Sequence, residues 1–506
     1  MTAIFRTKSI EQSKRDAAGD TGDAGGETLK KNLSAFDLIV FGVGVVVGTG
    51  IFVLTGLQAH INAGPGIVIS FVLAAVACGF AALCYAEFAA AVPVAGSAYT
   101  FSYATLGEVV AWIIGWDLAL ELALGAAVVA RGWSGYFQTL FGLPDWLAGE
   151  SAHVDVMAVV IVALVTVFLY LGTKLSGRVT SVLVIIKVAI VLFVIVAGLF
   201  FVKASNYSPF IPASVPAEGE GGLKAPLLQV VTGITPSHFG LFGVVAAASL
   251  VFFAFIGFDV VSTAAEETKK PQRDLPIGII GTLVICTLLY VAVSAVVTGM
   301  VNYKDEALAT SAPLAEAFKV VGADWAARLI SIGGICGITT VVIVLMLGQA
   351  RVLFAMSRDR LLPPVISKIH PKYGTPYVTT IVTGIVVALL AAFVPLAELS
   401  ELVNIGTLFA FVVVSIGVVV LRRTRPDLER PFRVPLVPVV PILAVLACVW
   451  LMINLPTDTW IRFGIWMALG MVIYFTYGIR HARTRATQDE ELERSHATSG
   501  KRLDRS

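Results

Sequence analysis

The chain has 506 residues, 57% of them hydrophobic and 14% charged, against roughly 25% charged in ordinary soluble domains, so lipid rather than water is its main solvent. A net charge of +2 excludes the broad basic footprint of a nucleic-acid binder. Cys78, Cys84, Cys286, Cys336 and Cys448 stand singly in apolar runs, without the CxxC or Cys/His spacing of a metal site, and read as reduced packing residues.

Residues 1–33 are polar and lack the apolar core of a signal peptide, which predicts a cytosolic N-terminal tail. From Ser34 onward twelve apolar segments follow, each near the ~20 residues a helix needs to cross a bilayer. They run over 35–58, 67–92, 107–138, 154–173, 177–202, 241–265, 276–300, 325–355, 377–395, 399–421, 437–454 and 463–480. Short alternating strands of the barrel type are absent, so the pattern predicts an all-α integral membrane protein with twelve transmembrane helices. An even number of spans puts both termini on one side. Lys and Arg concentrate on that side, in both tails and in clusters such as Lys269, Lys270 and Arg273 or Arg422, Arg423 and Arg425. The positive-inside bias then predicts cytosolic termini in the cell (plasma) membrane, with these clusters as topology anchors.

The first and sixth spans are unlike the others. Gly42, Gly44, Gly48 and Gly50 crowd the middle of the first, and the sixth carries Gly257 with Asp259 two residues later. A glycine costs about 1 kcal/mol against alanine inside a helix, and an acid in the membrane costs at least about 2.5 kcal/mol. Close helix packing explains Gly44 and Gly48 taken alone. Interruptions at corresponding places in two five-helix halves point instead to a transporter with inverted repeats and a site at mid-membrane.

These residues also carry a resemblance. Gly42 to Gly56 with Ala63-Gly64-Pro65-Gly66 resembles the start of amino acid permeases. Tyr85-Ala86-Glu87, Pro93 to Tyr99, Gly115 to Glu121, Phe255 to Asp259, Gly348 to Arg351 and Ala355 to Asp359 together resemble the cationic amino acid transporter branch of the amino acid, polyamine and organocation (APC) superfamily. The likeness runs from about residue 33 to about 480. It implies a secondary active L-amino acid permease with a ten-helix core at 34–421 and broken helices 1 and 6. A loop at 422–436, peripheral helices 11 and 12 at 437–480 and a cytosolic tail at 481–506 complete the chain. Alternating access would come from helices 1, 2, 6 and 7 rocking against the rest, in a monomer or homodimer. No cofactor is implied beyond a proton gradient.

The resemblance also implies a site. The substrate carboxylate would meet backbone N–H groups around Thr49 and Gly50 at a half-helix start, where they are unpaired and the helix dipole is positive, with Val46 and Gly48 also among the substrate-binding residues. Carbonyls of Phe253, Ala254 and Ile256 beside Gly257 would receive the ammonium. Phe253 takes the family's position for an aromatic gate, although a shift of register would give that role to Phe252 or Phe255. Thr339 and Thr340 of helix 8 would line the side-chain pocket.

The intramembrane charges carry the remaining expectations. Asp259 either orders the broken backbone or receives a cationic side chain. Glu121 lies four residues after Asp117 on one helical face, which suits either a proton role or a structural pairing. Glu87 falls near the cytosolic end of helix 2 and reads as hydrated, and Arg131 as snorkelling toward the outer interface. Lys187 is too deep in helix 5 to snorkel. It is either a structural partner of Glu121 or of a helix 1 carbonyl, or a removable internal cation where sodium-coupled relatives bind a metal ion. The second reading predicts proton-coupled, sodium-independent symport of small neutral and/or cationic amino acids. Exchange and sensing are the alternatives. An enzyme is disfavoured because the six histidines lie in loops or tails and no nucleophile–base or metal constellation appears.

Overall fold

Helix starts follow local capping chemistry. In the computed structural model, which describes residues 33–91, 97–149, 152–172, 177–217 and 221–482, Ser34 and Asp37 form a reciprocal capping box that opens α1 (Ala35–Val46). Asp155 caps α4 (Val156–Tyr170) by accepting from Ala158 N. Pro271 begins α7 (Pro271–Met300) at a position where its missing N–H costs nothing. Prolines also sit at the N-caps of α9 (Tyr377–Phe393), α10 (Leu396–Thr424), α11 (Val439–Ile453) and α12 (Thr457–Ile473).

The remaining spans are α2 (Ile67–Ala91), α3 (Glu108–Phe141), α5 (Gly177–Gly198), α6 (Gly240–Val251) and α8 (Asp324–Arg358). Among the described residues, eight helical stretches are long and apolar enough to cross a membrane, and four shorter apolar helices complete the set. Large apolar side chains face outward along α4, α5, α9 and α12, as at Leu164, Ile185, Leu389 and Ile465, where lipid tails take the place of a protein neighbour.

Two expected spans are discontinuous. The first stops at Val46 and resumes at Gly50, with wide π-type turns at Gly50–Leu54 and Ala59–Ala63 on either side of an α-helical turn at Thr55–Gln58. The sixth tightens into a 3-10 turn at Phe252–Phe255, unwinds, and restarts as a second 3-10 segment at Asp259–Glu267. Short helices Ser97–Thr105 and Pro313–Val320 and a two-stranded ribbon of Val215–Pro216 with Ser237–His238 lie between spans.

Packing repeats itself between the halves. The first half of α1 packs on α7 as the first half of α6 packs on α2, α3 packs on α10 as α8 packs on α5, and α3 meets α9 as α8 meets α4. The α5–α7 contact likewise matches the α10–α2 contact. Helices five crossings apart run in opposite directions, so the exchange of halves is an inversion: an all-α membrane protein of two inverted five-helix repeats. Outside these ten helices, α11 packs on α10 and α2, and α12 packs on α10 and α3. Trp116 and Trp466 stack at 4.4 Å across the α3–α12 joint, and Trp112 Nε1 donates to Gly470 O at 3.0 Å.

Candidate functional site

The two breaks meet each other inside the bundle. A Cβ on Gly50 would lie 2.2 Å from Ala254 Cα, so only glycine lets the restart of α1 touch the turn that ends α6. Gly257 adopts φ +110°, a conformation that side chains rarely tolerate. Tyr290 of α7 joins both breaks: its hydroxyl lies 2.9 Å from Val46 O and 2.8 Å from Ala254 O. Tyr136 of α3 donates to Phe52 O at 2.7 Å and fixes the second half of α1.

Between the breaks lies a cavity of ≈ 370 Å³ counting its open mouth, lined by Val45, Val46, Gly48, Thr49, Gly50, Glu121, Gly125, Val129, Phe253, Ile256, Val341 and Leu345. Its polar end is the backbone at 48–50, together with the buried Thr49 hydroxyl, which has no hydrogen-bond partner among the described residues. The opposite wall, from α3 and α8, is apolar apart from Glu121. Of the three neighbouring phenylalanines only Phe253 lines the cavity. Phe252 packs against Phe411, and Phe255 against Phe71 and Tyr290.

Val46, Gly48, Thr49, Gly50, Phe253, Ile256 and Glu121 thus come together around one space, whereas Ala254, Gly257 and Asp259 stand behind it. Asp259 is buried beside the start of the second α6 segment, and its Oδ1 has no hydrogen-bond partner among the described residues. Thr339 and Thr340, expected in the side-chain pocket, direct their hydroxyls elsewhere. Thr339 donates to Ile335 O at 2.7 Å and accepts from Trp133 Nε1 at 2.9 Å, while Thr340 donates to Gly337 O at 2.7 Å. The α8 side chains that face the cavity are Val341 and Leu345.

Lys187 is fully buried, and its ammonium donates to Gly44 O and, at 3.2 Å, to Val47 O. Its partners are α1 carbonyls rather than Glu121. An ammonium beside a helix C-terminus satisfies carbonyls that the break has removed from the ladder and suits the negative end of the dipole. Glu121 instead lines the cavity from α3. Asp117, one turn earlier, is fully buried, faces α10 at Gly406, and finds no hydrogen-bond partner for either oxygen among the described residues.

Two readings of peripheral charges differ from the expectation. Arg131 does not snorkel: it is buried, and Nε donates to Ala391 O at 2.9 Å, so it caps the end of α9. Glu87 is not hydrated but 1% exposed. It accepts from Arg422 Nε and Nη2 at 2.9 and 2.6 Å and from Val434 N at 2.7 Å, with Arg430 at 3.6 Å. The motif residues at 92–96 lie outside the described residues.

Val341 lies in the helix 8 stretch 337–341 expected at the pocket, whereas Tyr290, Gly125, Val129 and Leu345 escaped the sequence reading. Only Tyr290 carries a signal, as a hydroxyl in the middle of an apolar span that must find a partner. The others are ordinary apolar helix residues whose inward direction depends on helix rotation.

Comparison with known proteins agrees with this architecture. A family model described as amino acid permease matches residues 33–476. The chain is 48% identical to the branched-chain amino acid permease BcaP of Bacillus subtilis (strain 168), over 95% of this chain and 99% of that protein. It is 44% identical to the methylthioribose transporter of the same organism, with the same coverage. It is also 38% identical to the vacuolar cationic amino acid transporter 4 of Arabidopsis thaliana, over 84% of this chain and 68% of that protein. A membrane-embedded bundle with two meeting helix breaks, matched along nearly its whole length by transporters, is a carrier and not an enzyme: the chain belongs to the amino acid permease family of the APC superfamily.

Proposed function

We propose that this protein is a secondary active carrier that brings neutral aliphatic L-amino acids across the plasma membrane together with protons, with both termini in the cytosol. The observation that carries the substrate class is the division of the cavity. One end is backbone at Gly48, Thr49 and Gly50, suited to a carboxylate, and the far wall of Gly125, Val129, Val341 and Leu345 is suited to an aliphatic side chain. The same branched-chain class is named for a relative 48% identical to this chain. Glu121 is the acid on that wall and leaves room for weaker uptake of cationic amino acids. Proton coupling is supported by Lys187, whose charge caps the end of α1. Adding or removing that proton would make or release the α1–α5 connection, with Glu121 as the second proton-handling group.

A second reading comes from the methylthioribose relative, since an apolar wall also accepts a thioether. The two are separated by proteoliposome uptake under an inward proton gradient in sodium-free buffer. Accumulation of leucine, isoleucine and valine, competed by alanine and weakly by lysine, is expected. Methylthioribose uptake with no amino acid competing would transfer the assignment to that substrate. An absolute need for sodium would remove the proton.

A further inference from the structure

The two repeats solve one physical problem with two different side chains. A helix that stops inside a membrane strands carbonyls where no water can reach them, so a neighbouring helix must supply donors. In the first repeat the fifth helix does this through Lys187, on Gly44 O and Val47 O at the end of the first half of α1. In the second repeat the corresponding helix is α10, and fully buried Asn404 faces the matching place. Its Nδ2 donates to Ser249 O at 2.9 Å and to Leu250 O at 3.1 Å, just before α6 tightens from α-helical to 3-10 pairing at Phe252. That switch from i−4 to i−3 bonding drops a carbonyl from the ladder.

We propose that Asn404 is the positioning residue of the α6 break, the neutral counterpart of Lys187, and that it sets the carbonyl-bearing turn at Phe253–Ile256 for the substrate's ammonium. The inference rests on the amino acid reading above. Three residues beyond Leu250 stands Phe253, on the cavity wall, and the next carbonyl, of Ala254, meets Tyr290. A small rotation at Ser249 and Leu250 therefore moves the groups that would bind the amine and leaves the carboxylate end, on α1, in place. Unlike an ammonium, an amide has no proton to release over the transport cycle, so the α6 cap stays made while the α1 cap is free to switch. Asn404 Oδ1 is buried without a partner among the described residues. The side chain is thus held by its two donated bonds rather than by a wider network, as a dedicated cap would be.

The test compares leucine with 4-methylpentanoate, which keeps the carboxylate and side chain but lacks the amine, by thermal-shift titration of the full-length protein in detergent. Asn404→Ala should weaken leucine binding about ten-fold or more, the effect of losing one charge-assisted contact, while 4-methylpentanoate changes by less than about two-fold. Asn404→Leu keeps a similar side-chain volume but has no donor for the carbonyls, and should show the same selective loss if the alanine variant folds poorly. Equal loss for both ligands, or an unchanged leucine affinity in either variant, would reduce Asn404 to a packing residue and overturn the proposal. Absence of leucine binding by the unsubstituted protein would instead overturn the amino acid reading, and this inference with it.

Discussion

Gly50 shows how a single missing side chain can hold a transport site open. Its Cα stands where the α1 restart and the α6 turn touch, and any Cβ would fall 2.2 Å from Ala254 Cα, far inside contact distance. At Gly48 the nearest atom to a new Cβ is Val341 Cγ2 at 3.2 Å, a side-chain end that can yield. Gly50→Leu should therefore cost about 1–3 kcal/mol of stability from overpacking and abolish uptake while the protein still inserts. Gly48→Ala should retain measurable flux. Detergent thermal melts and proteoliposome uptake on the pair check this, and equal, near-normal flux in both would return the glycines to a packing role. The same scale shows what sequence could not reveal. Thr340 and Val341 are adjacent, yet one turns its hydroxyl back to Gly337 O and the other lines the cavity, because each step along a helix rotates the side chain by about 100°.

Among elements, the broken α1 depends on three neighbours. Lys187 of α5 holds Gly44 and Val47, Tyr290 of α7 reaches Val46, and Tyr136 of α3 holds Phe52. Only the first of these carries a charge. Lys187→Ala removes hydrogen bonds from a charged donor, each worth about 1.5–3 kcal/mol, and also removes the group proposed to exchange the proton. Uptake driven by a pH gradient should fall to background in this variant, while exchange of internal for external leucine without a gradient persists. Gradient-driven accumulation at parental level would leave Lys187 as a structural cap alone. The α6 break was legible as Gly257 beside Asp259, but its cap on α10 was not. Asn404 is an ordinary polar residue in sequence, and its meaning comes from facing an interrupted helix.

At the scale of the molecule, the end of α2 is tied to the end of α10 and to the segment leading to α11 by a buried charge cluster. Glu87 binds Arg422 at the end of α10 and, through Val434 N and Arg430, the segment leading to α11. Removing one member of a buried pair leaves an uncompensated charge, with a cost of about 3–5 kcal/mol when burial is complete. Arg422 is 27% exposed, which lowers the expectation for Glu87→Gln to about 2 kcal/mol. A thermal melt of this variant should show that destabilisation. A melting temperature equal to the parent's would mean that the cluster contributes no net stability. If α2 moves against α10 during transport, as the family likeness implies, the same variant should also alter the turnover rate.

The solvent, the helical class, the twelve apolar segments and the two places where helices fail were all legible in the order of amino acids. Each depends on composition along a short window: the length of an apolar run, a crowd of glycines, an acid beside a glycine. Three-dimensional packing chose which side chains share the space between the breaks and which stranded carbonyls meet which donors. It placed Glu87 and Arg131 in buried contacts that their positions near span ends did not suggest. Those outcomes depend on the rotation of each helix about its axis and on partners hundreds of residues away, and inside a membrane every interrupted hydrogen bond must find such a partner.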